Sequence, residues 1–409
     1  MELAELAGSE PKIDPRVHLR RGLGEPCQVP NRRAGFLDSG LTGASALAFS
    51  PDGSVIAAAI GDADTSFSIR LYSTATLKLE ATLEPHYDMV YDMRWSKTGT
   101  ELISASSDFT AKVWNVAMAP EGGVGPVEVL RGRGSARAVM QHAGFVYAAA
   151  WVDEASAGSN LEDGRHVLTS CYDGALRLWD ATTTGMASVV ADLQLGVGTD
   201  AYGNALAMTP SGSRAYLGCA DGHIREVGID VGGGVEAGGR ASQLTLLRTF
   251  AGLGGAPIAA LAMHPNGEEM AALSHASALV TINLTTMEGG RPFWGVQCSS
   301  HRPAATQALS ISPDGAWLLA GSEDGRCIIW SWTSGESATL FGIDLKGQPL
   351  DSLCWSPTEH VIAVGAFGSA VEPEVHDWSP QIAEAAQSLL GSEVQERDSE
   401  VQILSIELR

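Results

Sequence analysis

The sequence contains few charged residues, few aromatic residues and no long apolar run. Charged residues make up 18% and aromatic residues 6% of the 409-residue chain. A membrane-spanning helix needs roughly 18 or more uninterrupted apolar residues, and no stretch approaches that length. Acidic residues also occupy the N-terminal positions where a secretory signal would be basic and then apolar. These absences predict a cytoplasmic chain with no membrane insertion.

Motifs for metals, cofactors and disulfides are missing as well. The six cysteines are widely separated and form no C-x-x-C pair, which argues against a zinc knuckle or a disulfide framework. The ten histidines form no H-E-x-x-H motif, and no glycine-rich phosphate-binding loop is present. We therefore expect no cofactor, no metal site and reduced cysteine thiols.

The charge balance is strongly acidic. Lys and Arg number 26 against 48 Asp and Glu, so the formal net charge is −22. A surface of this sign repels a phosphate backbone, so we expect no nucleic acid partner. A basic stretch at residues 130–138 is expected to be a solvated loop, with an acidic partner or a lipid headgroup as the alternative.

Turn-forming residues and repeats are abundant. The 47 glycines and 18 prolines predict many short elements and argue against a coiled coil. A five-residue pattern recurs at intervals slightly above the ~40–45 residues of a four-stranded propeller blade. Its five positions hold, in order, an aromatic or apolar residue; Ser, Thr or His; Pro or Lys; a polar residue; and usually Gly. The copies begin at Phe49, Trp95, Met208, Met263, Ile311 and Trp355, with a degenerate copy at Trp151.

A second signature follows three of these copies. It is an apolar strand, a turn of small residues containing Asp, and a strand ending in Trp, as at 102–115, 168–180 and 318–331. Alternation of apolar and polar residues around a tight turn predicts a β-hairpin. The Asp and Trp of each copy are Asp108 and Trp114, Asp173 and Trp179, and Asp324 and Trp330.

Two copies also carry a His upstream and a hydroxyl residue between the His and the Asp. This set resembles the structural tetrad of WD40 repeats, in which buried polar groups satisfy one another in a closed chain of hydrogen bonds. On this resemblance, replacing Asp173 by Ala is expected to cost ~1–3 kcal/mol of stability. The implied tetrads are His86, Ser104, Asp108 and Trp114, then His142, Thr169, Asp173 and Trp179, with Asp324 and Trp330 as a partial third.

The tetrads also account for residues that would otherwise suggest a hydrolase. Ser, His and Asp occur together at two sites, but duplication in separate repeats fits a structural role better than one active site. No clustered acid, base or metal set remains. We therefore predict no catalytic residues and a protein that is not an enzyme.

Seven repeats predict an all-β fold, a seven-bladed WD40 β-propeller spanning residues 17–378. We expect residues 17–22 to supply the outer strand that closes the last blade, since closure removes exposed strand edges. Residues 1–16 are expected to be an N-terminal tail. Residues 379–409 are expected to be an acidic C-terminal tail whose apolar residues have helical spacing; a docking helix and a frayed tail both fit.

Several segments resemble consecutive blades of the jouberin family, in order, from about residue 17 to 378. The most distinctive are residues 86–115 and 321–368. The resemblance implies a scaffold for protein–protein interaction that acts in cilium assembly. It also implies a location at the basal body and transition zone, at the cytoskeleton of the cilium base, with the tectonic and nephrocystin assemblies as partners. Animal members carry a coiled coil and an SH3 domain that have no counterpart in this sequence.

WD40 proteins in general bind partners on the narrow face of the ring. By resemblance, two positions in each blade point there: three residues after the turn His, and the residue before the tetrad Asp. Aromatic residues at such positions are typical of interface hot spots, although some can instead fill the channel. The candidate protein-binding face is Met89, Ser107, Phe145, Tyr172, Tyr202, Ala220, His275, Glu323 and Phe367.

An alternative function is that of a substrate receptor of a cullin-type ubiquitin ligase. Such receptors commonly carry W-D-x-R at the end of a blade. Here Trp179 and Asp180 are followed by Ala181 and Thr182, so the arginine is missing. The fold alone does not decide between these functions, because propellers serve many.

Overall fold

The computed structural model describes fourteen stretches of the chain, and all of its regular elements are β-strands. Among these residues there is no helix, and hence none long and apolar enough to cross a membrane. The described residues are 21–22, 24–30, 32–37, 43–61, 67–83, 86–116, 135–152, 166–196, 201–232, 241–251, 253–298, 308–339, 348–367 and 401–405.

The strands are short, as the density of Gly and Pro predicts. In chain order they are β1 (Arg32–Leu37), β2 (Ala44–Phe49), β3 (Val55–Gly61), β4 (Phe67–Ser73), β5 (Leu79–Thr82), β6 (Val90–Trp95), β7 (Glu101–Ser106), β8 (Thr110–Asn115), β9 (Ala138–Gln141), β10 (Val146–Val152), β11 (His166–Cys171), β12 (Ala175–Asp180), β13 (Gly185–Met186), β14 (Ser188–Gln194), β15 (Gly203–Met208), β16 (Arg214–Cys219), β17 (Ile224–Asp230), β18 (Gln243–Phe250), β19 (Ile258–Met263), β20 (Glu269–Ser274), β21 (Leu279–Asn283), β22 (Glu288–Phe293), β23 (Leu309–Ile311), β24 (Trp317–Gly321), β25 (Cys327–Ser331), β26 (Ser337–Thr339), β27 (Leu350–Trp355), β28 (Val361–Ala366) and β29 (Val401–Ser405).

Six sheets of the described residues are built from strands that are near neighbours in the chain. We call them blade 1 (β2–β5), blade 2 (β6–β9), blade 3 (β10–β12 and β14), blade 4 (β15–β18), blade 5 (β19–β22) and blade 6 (β23–β26). The short strand β13 leaves blade 3 and pairs parallel with β9 of blade 2. A further sheet, the composite sheet, joins both ends of the chain in the order β1, β29, β28, β27.

The sheets form a closed ring. The first strand of each blade contacts the first strand of the next, and β27 contacts both β23 and β2. Because both faces of each sheet lie against a neighbour, apolar side chains on both faces become buried. The all-β propeller that the repeats predict is therefore confirmed in its architecture.

The core lies between neighbouring sheets and explains the recurring Trp of the first repeat signature. We call the first strand of each blade, and β27 of the composite sheet, the inner strand, because these strands contact one another around the ring. Trp95 and Trp151 lie near the ends of the inner strands of blades 2 and 3. Their indole N–H groups donate to the carbonyl oxygens of Ala48 and Arg94, each at 3.1 Å and each in the preceding blade. Each indole therefore fills the apolar space between two sheets and also hydrogen-bonds across it.

The N-terminal outer strand is present but is not the segment predicted. β1, at residues 32–37, is the outermost strand of the composite sheet, so the assignment of residues 17–22 to it is wrong. Residues 17–20 lie outside the described residues. Arg21 instead donates its backbone N–H to the Thr358 oxygen at 2.8 Å and a guanidinium N–H to the Pro357 oxygen at 2.6 Å. These bonds hold the chain against a turn of the composite sheet before β1 begins.

The C-terminal region also differs from the expectation of a helix or a frayed tail. Residues 401–405 are β29, which pairs antiparallel with β28 on one side and with β1 on the other. The physical reason is that two facing strands present unpaired backbone groups, which a third strand satisfies and a helix does not. The helical interpretation is wrong for these five residues; residues 1–16, 379–400 and 406–409 lie outside the described residues.

The inner strands share a local irregularity. Six of them shift register against the next strand after their first residue, which inserts one extra residue at the start of each strand. Such a β-bulge re-aims a side chain. In blades 2 and 3 the extra residues are Tyr91 and Tyr147, whose ring centroids lie 5.2 Å apart.

Blade 4 lacks the tetrad Trp and uses a buried ion cluster instead. Glu226 is fully buried and accepts hydrogen bonds from Arg214 at 2.6 Å, from the Tyr216 hydroxyl at 3.2 Å, and from Arg248. Arg248 also donates to the Leu284 carbonyl oxygen of blade 5 at 2.6 Å. Burial raises the pKa of Glu226, but the bonds from both arginines outweigh burial and lower it overall. The cluster therefore links blade 4 to blade 5 through an ionised carboxylate.

Replacing Glu226 by Ala is expected to lower the free energy of unfolding by about 2 kcal/mol, because it removes the shared acceptor of the cluster. The loss is moderate because Arg214 and Arg248 are half exposed and one third exposed and can be hydrated. Urea denaturation at pH 7 measures the change, with exposed Glu288→Ala as the matched control. Equal stability of the two variants would contradict the role of the cluster.

Candidate functional site

Blade 2 contains a complete tetrad. The Trp114 indole N–H donates to the Ser104 hydroxyl at 2.9 Å, and this hydroxyl lies 2.7 Å from His86 Nε2. His86 Nδ1 lies 2.8 Å from Asp108 Oδ2; because a carboxylate only accepts, Nδ1 carries the proton. His86 and Ser104 are fully buried, so this Ser is inaccessible as a nucleophile. The arrangement ties the turn before β6 to the hairpin between β7 and β8.

The charges of the blade 2 tetrad follow from burial and pairing. Burial lowers the pKa of His86, with Asp108 acting in the opposite direction. Burial alone would raise the pKa of Asp108, but hydrogen bonds from His86 and Thr110 hold it well below its usual range. The carboxylate therefore remains ionised and keeps its acceptor role.

The predicted tetrad of blade 3 is not closed, and that prediction is wrong for His142 and Asp173. Trp179 does donate to the Thr169 hydroxyl at 2.8 Å. Asp173, however, accepts two hydrogen bonds from Arg177, at 3.1 and 2.6 Å. Both ring nitrogens of His142 are buried without a hydrogen-bond partner, and the ring packs on Trp179 at a centroid distance of 5.0 Å.

The residue four positions after the Asp accounts for the difference. In blade 2 it is Lys112, whose ammonium lies 3.9 Å from Asp108 and leaves the carboxylate to His86. In blade 3 it is Arg177, whose planar guanidinium engages both oxygens of Asp173. Blade 4 repeats the arrangement, with two bonds from Arg225 to Asp221 at 3.0 and 2.5 Å.

The partial tetrad of blade 6 follows the same trend. Asp324 accepts from the Arg326 guanidinium at 2.6 Å. Trp330 is buried and packs on Phe293 with ring centroids 5.7 Å apart. The Asp and Trp thus occupy the predicted hairpin, but Arg326 takes the acceptor that a tetrad would give to His.

Aromatic side chains of blades 2–4 meet at one end of the ring. Four predicted face residues, Met89, Phe145, Tyr172 and Tyr202, lie together with three that the sequence reasoning missed. We call this set the aromatic surface: Met89, Tyr91, Phe109, Phe145, Tyr147, Tyr172 and Tyr202.

The aromatic surface has a buried layer and an exposed layer. Tyr91 and Tyr147 are only 6% and 4% exposed, and Tyr202 stacks on Tyr147 with centroids 5.3 Å apart. Phe145 and Tyr172 are 36% and 46% exposed and lie 5.9 Å from each other. Burial is the main cause that raises the pKa of both Tyr91 and Tyr147, so their phenols are neutral. The exposed rings therefore rest on a packed, uncharged base.

Phe109 is the least expected member of the aromatic surface. It follows the turn Asp with φ of 69°, a left-handed conformation that favours glycine. The matching residues of blades 3 and 4 are Gly174 and Gly222, both also at positive φ. Phe109 is 42% exposed and lies 5.5 Å from Phe145. The sequence signal for Phe109 was that it follows the turn Asp at a position where blades 3 and 4 have Gly.

Of the remaining predicted face residues, Ser107 and Ala220 contact the aromatic surface through hydrogen bonds, and the other three lie elsewhere. Ser107 is buried, and its hydroxyl donates to the Met89 carbonyl oxygen at 3.1 Å. Ala220 makes a backbone hydrogen bond to Tyr202. His275, Glu323 and Phe367 lie on other sheets, where His275 Nδ1 is 3.7 Å from Cys298 Sγ, Glu323 pairs through its backbone with Gln297, and Phe367 packs on Phe67.

The opposite end of the ring contains a cavity of about 400 Å3. Phe49, Trp95 and Trp355, at the far ends of three inner strands, line it. Arg94 also lines it, pairs with Asp92 at 3.0 Å and donates to the Leu206 carbonyl oxygen at 2.6 Å. Among the described residues, no group of three or more His, Cys, Asp or Glu side chains could hold a metal ion.

Comparison with known proteins agrees with this architecture. The model of the WD domain, G-beta repeat, matches residues 77–115, 138–180 and 297–331. The chain is 26% identical to jouberin of Mus musculus over 376 residues, which is 91% of this chain and 33% of that protein, and jouberin of Rattus norvegicus gives the same values. It is 28% identical to the periodic tryptophan protein 2 homolog of Dictyostelium discoideum over 38% of this chain and 14% of that protein. The chain thus spans about a third of the length of the jouberins.

Asp108→Ala is expected to lower the free energy of unfolding by about 1–3 kcal/mol, because the buried Nδ1–H of His86 loses its carboxylate acceptor. Asp173→Ala is expected to cost less than about 1 kcal/mol, since Asp173 pairs with a partly exposed Arg177. Urea denaturation of both variants measures the difference. A larger loss for Asp173→Ala than for Asp108→Ala would contradict the assignment of the closed tetrad to blade 2.

His142 is expected to make stability depend on pH. Burial lowers its pKa to about 4, with Arg177 acting in the same direction and Asp173 against it. The unfolded chain, with a His pKa of about 6.5, then binds the proton more readily, so stability falls as pH drops from about 6.5 towards 4. Between pH 7.5 and pH 5 the loss from this group is about 2 kcal/mol. Denaturation of His142→Phe at both pH values should show that part of the loss removed; an unchanged pH dependence would contradict it.

Proposed function

We propose that this WD40 propeller, similar to jouberin, is a non-catalytic scaffold that binds partner proteins through the aromatic surface of blades 2–4. The observation that carries the proposal is the exposure of Phe109, Phe145 and Tyr172 on a packed base of buried tyrosines. Exposed aromatic side chains held on a rigid support are typical of interface hot spots, because little side-chain entropy is lost on binding.

The arrangement of the ring supports this choice of surface. The aromatic surface combines residues from three consecutive blades, and each blade is held to the next by its inner strand. Phe145 and Tyr172 come from one blade, and Phe109 reaches them from the neighbouring one. A partner that contacts all three would therefore bind to a surface that only the assembled ring provides.

We further propose that the composite sheet is the seventh blade of the ring, as the number of repeats predicts. Its strands pair in the order expected of a blade, and β27 contacts the inner strands of both neighbouring blades. This sheet has strands from both ends of the described chain, so the ring is closed by hydrogen bonds between distant segments.

The cellular role follows from similarity alone. The similarity to jouberin extends over 91% of this chain, and it supports a location in the cytoplasm at the cilium base, in the basal body and transition zone. Proteins of the tectonic and nephrocystin assemblies are then the proposed partners, in cilium assembly. A cullin-type substrate receptor is not favoured, because Thr182 stands where the receptor motif has Arg and its hydroxyl bonds Asp180 at 2.6 Å.

Proximity labelling in a ciliated cell tests the proposal. The wild-type chain is expected to label transition-zone proteins, and Phe145→Ala/Tyr172→Ala to reduce that labelling at least about tenfold, because the variant removes the hot spot. The matched control is Leu246→Ala/Leu247→Ala, which removes exposed apolar side chains from β18 of blade 4. Retained labelling by the aromatic variant would reject this surface, and ligase components in place of ciliary proteins would reject the ciliary role.

A further inference from the structure

The third strand of the composite sheet is connected differently from its counterparts. In blades 2 to 5, the third strand follows the second after a turn of three or four residues, as between β7 and β8 or between β16 and β17. In the composite sheet, β28 ends at Ala366 and β29 begins at Val401. A connection of this length could span up to roughly 110 Å when extended, so the backbone does not force β29 into its place.

β29 is held by hydrogen-bonded pairing on both edges. Five residues of β28 pair with it, from Val361 opposite Ser405 to Gly365 opposite Val401. β1 pairs with the other edge, from Arg32 opposite Ser405 to Leu37 opposite Val401. β29 therefore fills a slot whose two walls are β28 and β1.

Both walls of the slot are anchored without β29. On β28, Val361, Ile362, Ala363 and Val364 are all fully buried, and they pack towards blade 1 on one face and towards blade 6 on the other. β1 is anchored by Leu37, which is 1% exposed in the core shared with blade 1.

The segment before β1 adds a second anchor to that wall. The Cys27 backbone N–H donates to Asp314 at 2.6 Å, and the Cys27 carbonyl oxygen accepts from the Trp317 indole at 3.0 Å. Both partners belong to blade 6. Each wall of the slot is therefore held by contacts that do not involve β29.

We propose that this slot is a strand-binding site, which β29 occupies within its own chain and which an extended aliphatic segment of another protein can occupy in its place. Addition of a strand draws affinity from main-chain hydrogen bonds and specificity from the side-chain pockets. Because both faces of β28 are buried, we expect the incoming strand to offer at least one aliphatic residue to each face, as the alternating positions of Val-Gln-Ile-Leu in β29 do. The site is separate from the aromatic surface and does not depend on the proposed scaffold role.

The test uses the full chain with a protease site inserted after Gly391. The protein is folded first, then cut, and incubated with a fluorescein-labelled peptide of residues 396–409. We expect the labelled peptide to replace the cut segment and to co-elute with the propeller in denaturant concentrations well below the global unfolding midpoint. Incorporation of label only after global unfolding would overturn the proposal.

Two unlabelled competitor peptides show whether exchange occurs in the slot. Ile403→Val keeps the backbone N–H and should compete as well as the wild-type peptide. Ile403→Pro removes one N–H from a strand that pairs on both sides, and should compete at least about tenfold more weakly. Equal competition by both peptides would place the label outside the slot and overturn the proposal. Size-exclusion chromatography of the uncut chain tests which chain occupies the slot. A dimer in which two copies exchange β29 would assign the slot to a second copy and overturn the proposal of another protein.

Discussion

The structure depends on closing a ring of small sheets that are each buried on both faces. A single four-stranded sheet cannot bury its own apolar faces, so each needs a neighbour on either side. Contacts between successive inner strands meet this need, and the indoles of Trp95 and Trp151 reinforce it by bonding the preceding blade. A ring also has to close between β2 and β27, and there the chain uses strands from distant segments.

Within this ring, the polar groups of each hairpin are satisfied in different ways. A lysine leaves Asp108 available to His86, whereas an arginine at the matching position engages both oxygens of Asp173 and leaves His142 unpaired. Blade 4 has Glu226 between arginines instead. The ring therefore tolerates one complete tetrad beside substitutes, because each carboxylate requires only donors of suitable geometry.

Two features of the ring are proposed for recognition, and they differ in kind. The aromatic surface is a rigid patch, with Phe145 and Tyr172 exposed above Tyr147. In the slot between β28 and β1, hydrogen-bonded pairing and not a short turn holds β29. The two proposals thus differ in their source of affinity, side-chain contacts at the aromatic surface and backbone hydrogen bonds in the slot.

Repeat spacing, alternation and the Asp-to-Trp interval were local patterns, so the sequence alone determined the all-β propeller and the inner hairpins of most blades. The resemblance to WD40 repeats also placed Phe145 and Tyr172 on a common surface, since it implies that these two positions of a blade both point to the narrow face. Only the tertiary structure decided the roles of Tyr91 and Tyr147, which depend on a bulge in each inner strand, and the choice of Asp173 between Arg177 and His142. It also decided that residues 32–37 and 401–405, and not 17–22, complete the last sheet. The bulged tyrosines and the last sheet require partners from distant parts of the chain, which no local pattern specifies. At Asp173 a nearby residue, Arg177, competes with the distant His142, and the folded blade decides which of the two donates to the carboxylate.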